Sequence, residues 1–438
     1  QPAVDRELME GLKRFPNVEV WMGAELEKFD QDGAGVSLTV RHKGKVNQLR
    51  CKYLVAADGG RSFVRTTLNI GFGGFTDTSK WLVVDIRNDP LGVPNIYMHS
   101  DPKRPYVSVA LPDGVRRFEF MIFENETEEQ VTTPERMAEL LAKVLPPNVD
   151  ISRLDFIRKR VYTHNARIAE RWKIGRIMLA GDAAHIMPVW QGQGYNTGMR
   201  DATNLAWKLA YVVNGKGNDA LLETYQSERP LHAKAMIDLS VTAGRIFSPR
   251  SALLAGLRDA TTWVLNYIPP VKRYFMEMRF KPMPFYENGL VVHEKTRRKD
   301  SPVGRMFIQP KVRTRQGEVK LLDDALGKGF ALLAWGADPN YWLNPRSRAI
   351  LEALGAKIVT LKPTVQIDRT VDMTDKTDVL GDEQMRFKEW FGQHPGSIVL
   401  LRPDRFVAGI SFPIEVNELI AAVADKMGLV VNAGGKPQ

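Results

Sequence analysis

The apolar positions of this chain change period several times, and each change marks an element. Val4, Leu8, Leu12 and Phe15 recur at helical spacing and predict an amphipathic helix near the start. Residues 36–40 and 47–53 alternate as strands, and with turns at Asp32-Gly33 and Lys43-Gly44 they predict an antiparallel meander. Residues 81–123 are strand-rich, and 106–111 with 115–123 flank Pro112-Asp113-Gly114 as a hairpin. Residues 134–144 return to helical spacing, and around 156–164 the chain leads back towards the second acid-glycine segment. The apolar run 176–180 sits between Gly175 and Gly181 and reads as a buried strand. A helix then follows from Asn196. Met199, Ala202, Ala206, Leu209 and Val213 give it one apolar face, and Asn214-Gly215 stops it. Two further helices are predicted over 220–229 and 231–247, with Pro230 opening the second. A mixed, Pro-rich stretch covers 268–302. From about Gly304 the pattern becomes that of a separate domain: strands at 330–335 and 357–361, a hairpin of 397–401 and 406–408 around Arg402-Pro403-Asp404-Arg405, and a last helix over 414–427.

Two of these strands end in an acid beside glycine. One runs into Ala57-Asp58-Gly59-Gly60-Arg61, the other into Leu179-Ala180-Gly181-Asp182-Ala183-Ala184-His185, followed by Gln191-Gly192-Gln193-Gly194-Tyr195-Asn196. A carboxylate at the end of a strand accepts hydrogen bonds from sugar hydroxyls, and a glycine-rich turn opening a helix presents free backbone N–H groups to negative charge. Each motif also has a plain structural reading. Asp182 can be a helix cap in an ordinary glycine loop. Asp58 can simply fix its turn, with Arg61 and Arg65 on a solvated face.

The two motifs together, in this order, resemble those of the class A flavoprotein aromatic monooxygenases, the p-hydroxybenzoate hydroxylase-like family. That resemblance implies an α/β protein: a Rossmann-like FAD-binding domain (1–75 and 155–247) whose N-terminal βαβ unit is missing, interleaved with a mixed-sheet substrate domain and linker (76–154 with 248–302), plus a C-terminal thioredoxin-like domain (303–438). It implies FAD as cofactor, held by Asp58, Gly59, Leu179, Ala180, Gly181, Asp182, Ala183, Pro188, Gly192, Gly194, Tyr195 and Asn196. Asp182 would take ribityl or ribose hydroxyls, and the backbone of 194–196 would meet the O2/N1 edge of the flavin ring. NADH or NADPH is the implied reductant, O2 the oxygen source, and a phenolic acid, hydroxylated ortho to its hydroxyl, the substrate. The resemblance is densest over 177–209 and 229–244, towards members acting on a 3-hydroxyphenyl propionate or cinnamate to give the 2,3-dihydroxy product in aromatic catabolism. Another phenol or a polyketide is the alternative substrate. Trp190 and Gln191 are candidates to line the substrate pocket. His185, Tyr106 and His99 are the catalytic candidates, although His185 sits in a run where packing near the flavin is its expected role. Tyr97, Arg104 and Arg117 are further candidates to hold a phenol or carboxylate. The C-terminal domain contains no C-x-x-C, so thiol redox chemistry is not expected of it.

The family's G-x-G-x-x-G motif is absent; 71–74 and 327–329 do not complete it. The expectation is an N-terminally truncated or cleaved product, or a natural variant without the pyrophosphate loop. Such a polypeptide would retain FAD poorly by itself, and a non-catalytic fragment is the competing reading. Composition adds bounds. At 44% hydrophobic and 26% charged residues the chain is that of a soluble globular protein. No run is apolar enough to predict a membrane span. The net charge of +10 is spread along the chain, with one dense cluster at 295–299 in the predicted linker. That suits an anionic cofactor and an acidic substrate better than nucleic acid. A single cysteine, Cys51, fits a reducing cytoplasm and a structural role. No zinc-ligand spacing and no G-x-S-x-G elbow is present, so no metal is expected. A homo-oligomer remains open.

Overall fold

The computed structural model describes residues 2–249, 251–295, 300–367 and 378–431. Most of the basic cluster noted above, 296–299, lies outside the described residues. The chain divides into two compact units, Gln1–Ala56 with Lys173–Leu179, and Ala57–Trp172 with Ala180–Gln438.

In the first unit the predicted helix spans Pro2–Leu12, and the predicted meander forms from Glu25–Gln31, Val36–His42 and Lys45–Cys51, all antiparallel. A small second sheet pairs Lys173–Ile174, Ile177–Leu179 and Leu54–Ala56. The last two run parallel, with Ile177 opposite Leu54 and Leu179 opposite Ala56. Ile177, Met178 and Leu179 are all buried, which explains a continuous rather than alternating apolar run. Gln31 ties the two sheets together: its Nε2 donates to the Ile174 carbonyl at 3.2 Å and its Oε1 accepts from the Arg176 N–H at 2.8 Å. Gly175 sits at φ +56°, and a Cβ there would stand 2.4 Å from that Oε1, so a side chain would strain the backbone and displace Gln31.

The second unit holds two larger sheets. The six-stranded sheet has two long central strands, Phe72–Arg87 and Asp155–Ala169, flanked by His185–Ile186 on one side and by Val115–Ile122, Tyr106–Leu111 and Ile96–His99 on the other. The predicted hairpin turn is present, with Asp113 and Gly114 both at positive φ. Alternation along these strands gives the sheet two faces. One face, carrying Leu82, Val84, Phe118 and Phe120, is covered by the helix Pro134–Ala142. The other carries Trp81, Val107 and Met121 against Trp190 and Phe247.

Two long helices, Gly194–Val213 and Asp219–Phe247, pack on each other. Both depart from the sequence reading. Pro230 does not open a second helix; it lies inside a single continuous one. Proline removes one N–H and crowds the preceding turn, but Glu228 and Arg229 on that turn are fully buried in ion pairs that anchor this stretch to the helix Gly194–Val213. The apolar stripe of the helix Gly194–Val213 is not its buried face. Met199, Ala202, Ala206 and Val213 are exposed, whereas Thr197, Asp201, Asn204, Leu205, Lys208 and Tyr211 are buried. Charge complementarity with the neighbouring helix outweighs hydrophobic periodicity here.

The C-terminal sheet has seven strands, in the order Val319–Leu321, Lys311–Arg313, Asp378–Asp382, Lys357–Pro363, Ala331–Trp335, Ile398–Leu401 and Val407–Ser411. Its middle strands are parallel and its margins antiparallel. Apolar cores lie on both sides, one with the helices Pro345–Leu354 and Val416–Met427, the other with Leu322–Leu326 and Arg386–Gln393. Tyr211 joins the first core and bonds the Leu354 carbonyl at 2.9 Å, seating the long helix on this sheet.

Candidate functional site

The two acidic turns are stapled together by Arg65. Its guanidinium is buried, donates to the Ala183 carbonyl at 2.9 Å and the Gly60 carbonyl at 2.8 Å, and stacks over Phe72 with its carbon 3.8 Å from the ring centroid. Arg65 is therefore not on a solvated face, as the plain reading of that motif required. Asp58 does fix its turn: one carboxylate oxygen accepts the Val64 N–H at 3.1 Å, beside the Ser62 cap of the short helix Phe63–Thr67.

Asp182 behaves differently. It is exposed, caps nothing, and makes no hydrogen bond to any described residue. The protein crowding it pushes its carboxyl upward from its ordinary value, against a lowering pull from His185. Gly181, at φ +59°, and Gly192, also at φ +59°, have no neighbour where a Cβ would stand, so the turns around Asp182 are open. The helix Gly194–Val213 begins without any side-chain cap, leaving its first N–H groups unclaimed by side chains. Tyr195 and Asn196 are exposed at this end, while Leu179, Ala180, Ala183 and Pro188 are buried. An open glycine turn, an unclaimed carboxylate and an uncapped helix start suit the sugar and ring edge of a flavin nucleotide.

Behind the turn is a buried ion network that sequence reading missed. Asp201 accepts the Gly181 N–H at 3.0 Å, His185 Nε2 at 2.7 Å and Arg229 Nε at 2.9 Å. His185 is sealed in, paired to Asp201 and stacked on Trp172 at 5.2 Å, with no open face towards solvent. One step further, Glu228 takes Lys208 Nζ at 2.7 Å, Asn204 Nδ2 at 2.6 Å and both terminal nitrogens of Arg402 at 2.7 and 2.9 Å. Burial opposes the Glu228 charge, but Arg402, Lys208 and Asn204 overcome it and hold the carboxyl at about 2. The signal in the sequence was the spacing of Asp201, Asn204 and Lys208 along one helix face. It competed with an apolar stripe that periodicity ranks first.

His232 abuts this network. Its Nε2 lies 3.3 Å from the Pro282 carbonyl and its Nδ1 3.4 Å from Arg229. Burial, then Arg229 and Arg200, press its pKa from 6.5 to about 4. The native state thus keeps His232 neutral while the unfolded chain protonates below 6.5. Its contribution to stability is complete above that pH and is lost as pH falls to about 4, a loss of about 3 kcal/mol. Urea unfolding at pH 7.5 and 4.5 should show His232→Gln to flatten the acid-side decline; an unchanged slope would remove His232 from this role.

Trp190 lies on the sheet face carrying Trp81, with ring centroids 4.9 Å apart, and it borders a cavity of about 250 Å³ shared with Phe75, Met121, Val241 and Arg245. A Cβ on Gly244 would stand 2.3 Å from the Trp190 Nε1, so that glycine makes room for the ring. Gln191 faces a different, apolar groove of about 760 Å³ beside Phe247 and Trp263. His99 and Tyr106 stack on each other at 4.0 Å on the opposite sheet face, with Tyr106 against Phe120, and the structure does not bring them to Trp190. Arg104 and Arg117 are already neutralised by Glu126 and Asp85.

A profile of the FAD binding domain family matches residues 1–240, and one of the HcaD C-terminal domain matches 304–426. Over 430 residues, 98% of this chain and 77% of the relative, the sequence is 53% identical to a 3-(3-hydroxy-phenyl)propionate/3-hydroxycinnamic acid hydroxylase of Klebsiella pneumoniae (strain 342). The chain belongs to the FAD-dependent aromatic hydroxylases. A relative of the same name from Escherichia coli (strain SMS-3-5 / SECEC) is 54% identical over the same extents. Among solved structures, the flavin-dependent monooxygenase PieE in complex with FAD and substrate matches with a TM-score of 0.77 at 19% identity, covering 98% of this chain and 79% of that one. Aklavinone-11 hydroxylase with FAD and aklavinone matches at 0.70 and 24%, covering 92% and 74%. At these identities the likeness to both is one of fold, a mixed α/β architecture. This hydroxylase is a flavin-dependent monooxygenase, and no helix among its described residues is long and apolar enough to cross a membrane.

Proposed function

We propose that this hydroxylase converts 3-(3-hydroxyphenyl)propionate or 3-hydroxycinnamate to the 2,3-dihydroxy acid, using NADH or NADPH and O2. The relatives' names supply the substrate, and the observation that carries the cofactor reading is the unclaimed Asp182 carboxylate on a turn that Arg65 joins to the Asp58 turn. FAD, when bound, supplies the redox chemistry that places one oxygen atom of O2 on the ring. The chain's own residues bind and orient. Asp182 takes sugar hydroxyls. The open turn at Gly192 and the N–H groups from Gly194 to Asn196 meet the electron-rich edge of the ring. Asp201 fixes the turn from behind. Trp190 and the Trp81 face of the sheet form a dry wall for an aromatic substrate. Residues 1–75 with 155–247 are read as the flavin-binding part, and the seven-stranded C-terminal sheet, with helices on both faces, as a thioredoxin-like domain of structural rather than redox role.

Asp182→Ala is expected to remove hydrogen bonds worth about 1–3 kcal/mol and to weaken FAD about tenfold or more. Titrating FAD into deflavinated protein, followed by flavin fluorescence, measures this. Equal affinity in the variant would contradict the assignment. Formation of the dihydroxy acid, scored by product rather than by NADH loss, tests the reaction itself; reductant consumption that ignores the phenol would mark a flavin reductase instead.

A further inference from the structure

The cavity beside Trp190 contains a charge that no described residue answers. Arg245, near the end of the helix Asp219–Phe247, lines it, and among the described residues lining it Arg245 is the only charged one. No hydrogen bond or ion pair connects its guanidinium to any described residue. The contrast with the other arginines near the sheet is direct. Arg104 is committed to Glu126, Arg116 to Asp89 and Arg117 to Asp85, each through two nitrogens. The rest of the wall is aromatic, aliphatic and hydroxylic: Trp190 and Met121 on one hand, Ser79 and Ser248 on the other.

Size narrows the ligand. A space of about 250 Å³ falls below the range of about 300–1,000 Å³ typical of drug-sized ligands. It suits one aromatic ring with a short tail, and a dinucleotide does not fit in it. Apolar walls favour the ring. An unpaired guanidinium beside them favours a carboxylate, which it can meet with two parallel N–H donors. A ring and a carboxylate joined by a short tail describe a phenolic acid.

We infer that Arg245 binds the substrate carboxylate and makes the enzyme select phenolic acids over neutral phenols. The inference rests on the hydroxylase reading above and adds to it the residue that recognises the acid. It places the carboxylate at the end of the helix Asp219–Phe247, with the ring against Trp190. Arg245 is exposed, so the pairing is partly screened by water and its effect is moderate rather than absolute.

The test compares two ligands that share the ring and hydroxyl and differ in the acid: 3-(3-hydroxyphenyl)propionate and 3-ethylphenol. Each is titrated calorimetrically into the wild-type chain, Arg245→Gln and Arg245→Lys, with FAD retention measured alongside. Arg245→Gln is expected to weaken the acid about tenfold while changing 3-ethylphenol less than twofold, and Arg245→Lys to recover part of the loss. FAD retention should stay unchanged. Equal weakening of both ligands, no weakening of either, or a loss confined to FAD would each overturn the assignment of Arg245. Wild-type protein that binds neither compound would instead overturn the phenolic-acid reading on which it stands.

Discussion

Asp201→Ala is expected to cost about 3–5 kcal/mol of folding stability and to abolish tight flavin binding with it. The carboxylate is fully buried and has three partners: the Gly181 N–H, His185 and Arg229, with Arg229 also fully buried. Deleting one member of a buried ion pair leaves its partner charged without compensation, and that is the expensive direction. The orphaned Gly181 N–H adds an unpaired backbone donor. Because Gly181 begins the turn that carries Asp182, the loss spreads from stability to the residues proposed to meet the flavin. Asp201→Asn separates the two effects. It keeps an acceptor for Gly181 while removing the charge that answers Arg229. Its stability should therefore fall nearly as far, with more of the FAD affinity kept in whatever protein is folded. Urea denaturation followed by tryptophan fluorescence gives the first quantity, and FAD titration below the transition gives the second. A stability loss under about 1 kcal/mol for the alanine variant would mean that Arg229 and Gly181 find other partners.

Arg402→Ala should be comparably severe, also about 3–5 kcal/mol, for a related reason. Arg402 bonds both Glu228 oxygens and both Asp404 oxygens and lies over the rings of Trp207, Tyr286 and Phe406. Without it two buried carboxylates share Lys208 as the nearby cation, and the packing of the guanidinium is lost as well. Arg402 comes from the C-terminal hairpin and Glu228 from the long helix, so this contact locks the seven-stranded sheet to the helices behind the Asp182 turn. Limited proteolysis should release a C-terminal fragment sooner from the variant than from the wild type. The double variant Arg402→Met with Glu228→Met should recover much of the loss, since a matched apolar pair leaves no buried charge unanswered. A double variant no better than Arg402→Ala would show that the hairpin is held mainly by packing.

Much of this protein was legible from its residues. The meander, the Pro112-Asp113-Gly114 hairpin, the buried strand Ile177–Leu179 and the last helix follow from periodicity and turn chemistry, which are local properties. The acid-glycine turns also identify themselves, because few residue types accept an open backbone and offer a carboxylate beside it. What periodicity could not rank was a helix with two competing faces. In Gly194–Val213 the stripe of Met199, Ala202 and Ala206 has the greater apolarity, yet Asp201, Asn204 and Lys208 go inward. Pro230 misled for the same reason: its local preference to start a helix is real, but buried ion pairs on the preceding turn override it.

The amino-acid sequence by itself determined the meander, the hairpins, the two acidic turns and the family, since each depends on residues near one another along the chain. Only the tertiary structure decided that Arg65 joins those turns, that His185 is sealed against Asp201, that His99 and Tyr106 face away from Trp190, and that Arg245 has no partner among the described residues. Pairing of charges across long separations depends on which surfaces meet, and the free energy of a buried charge is set by its neighbours in space rather than by its neighbours in sequence.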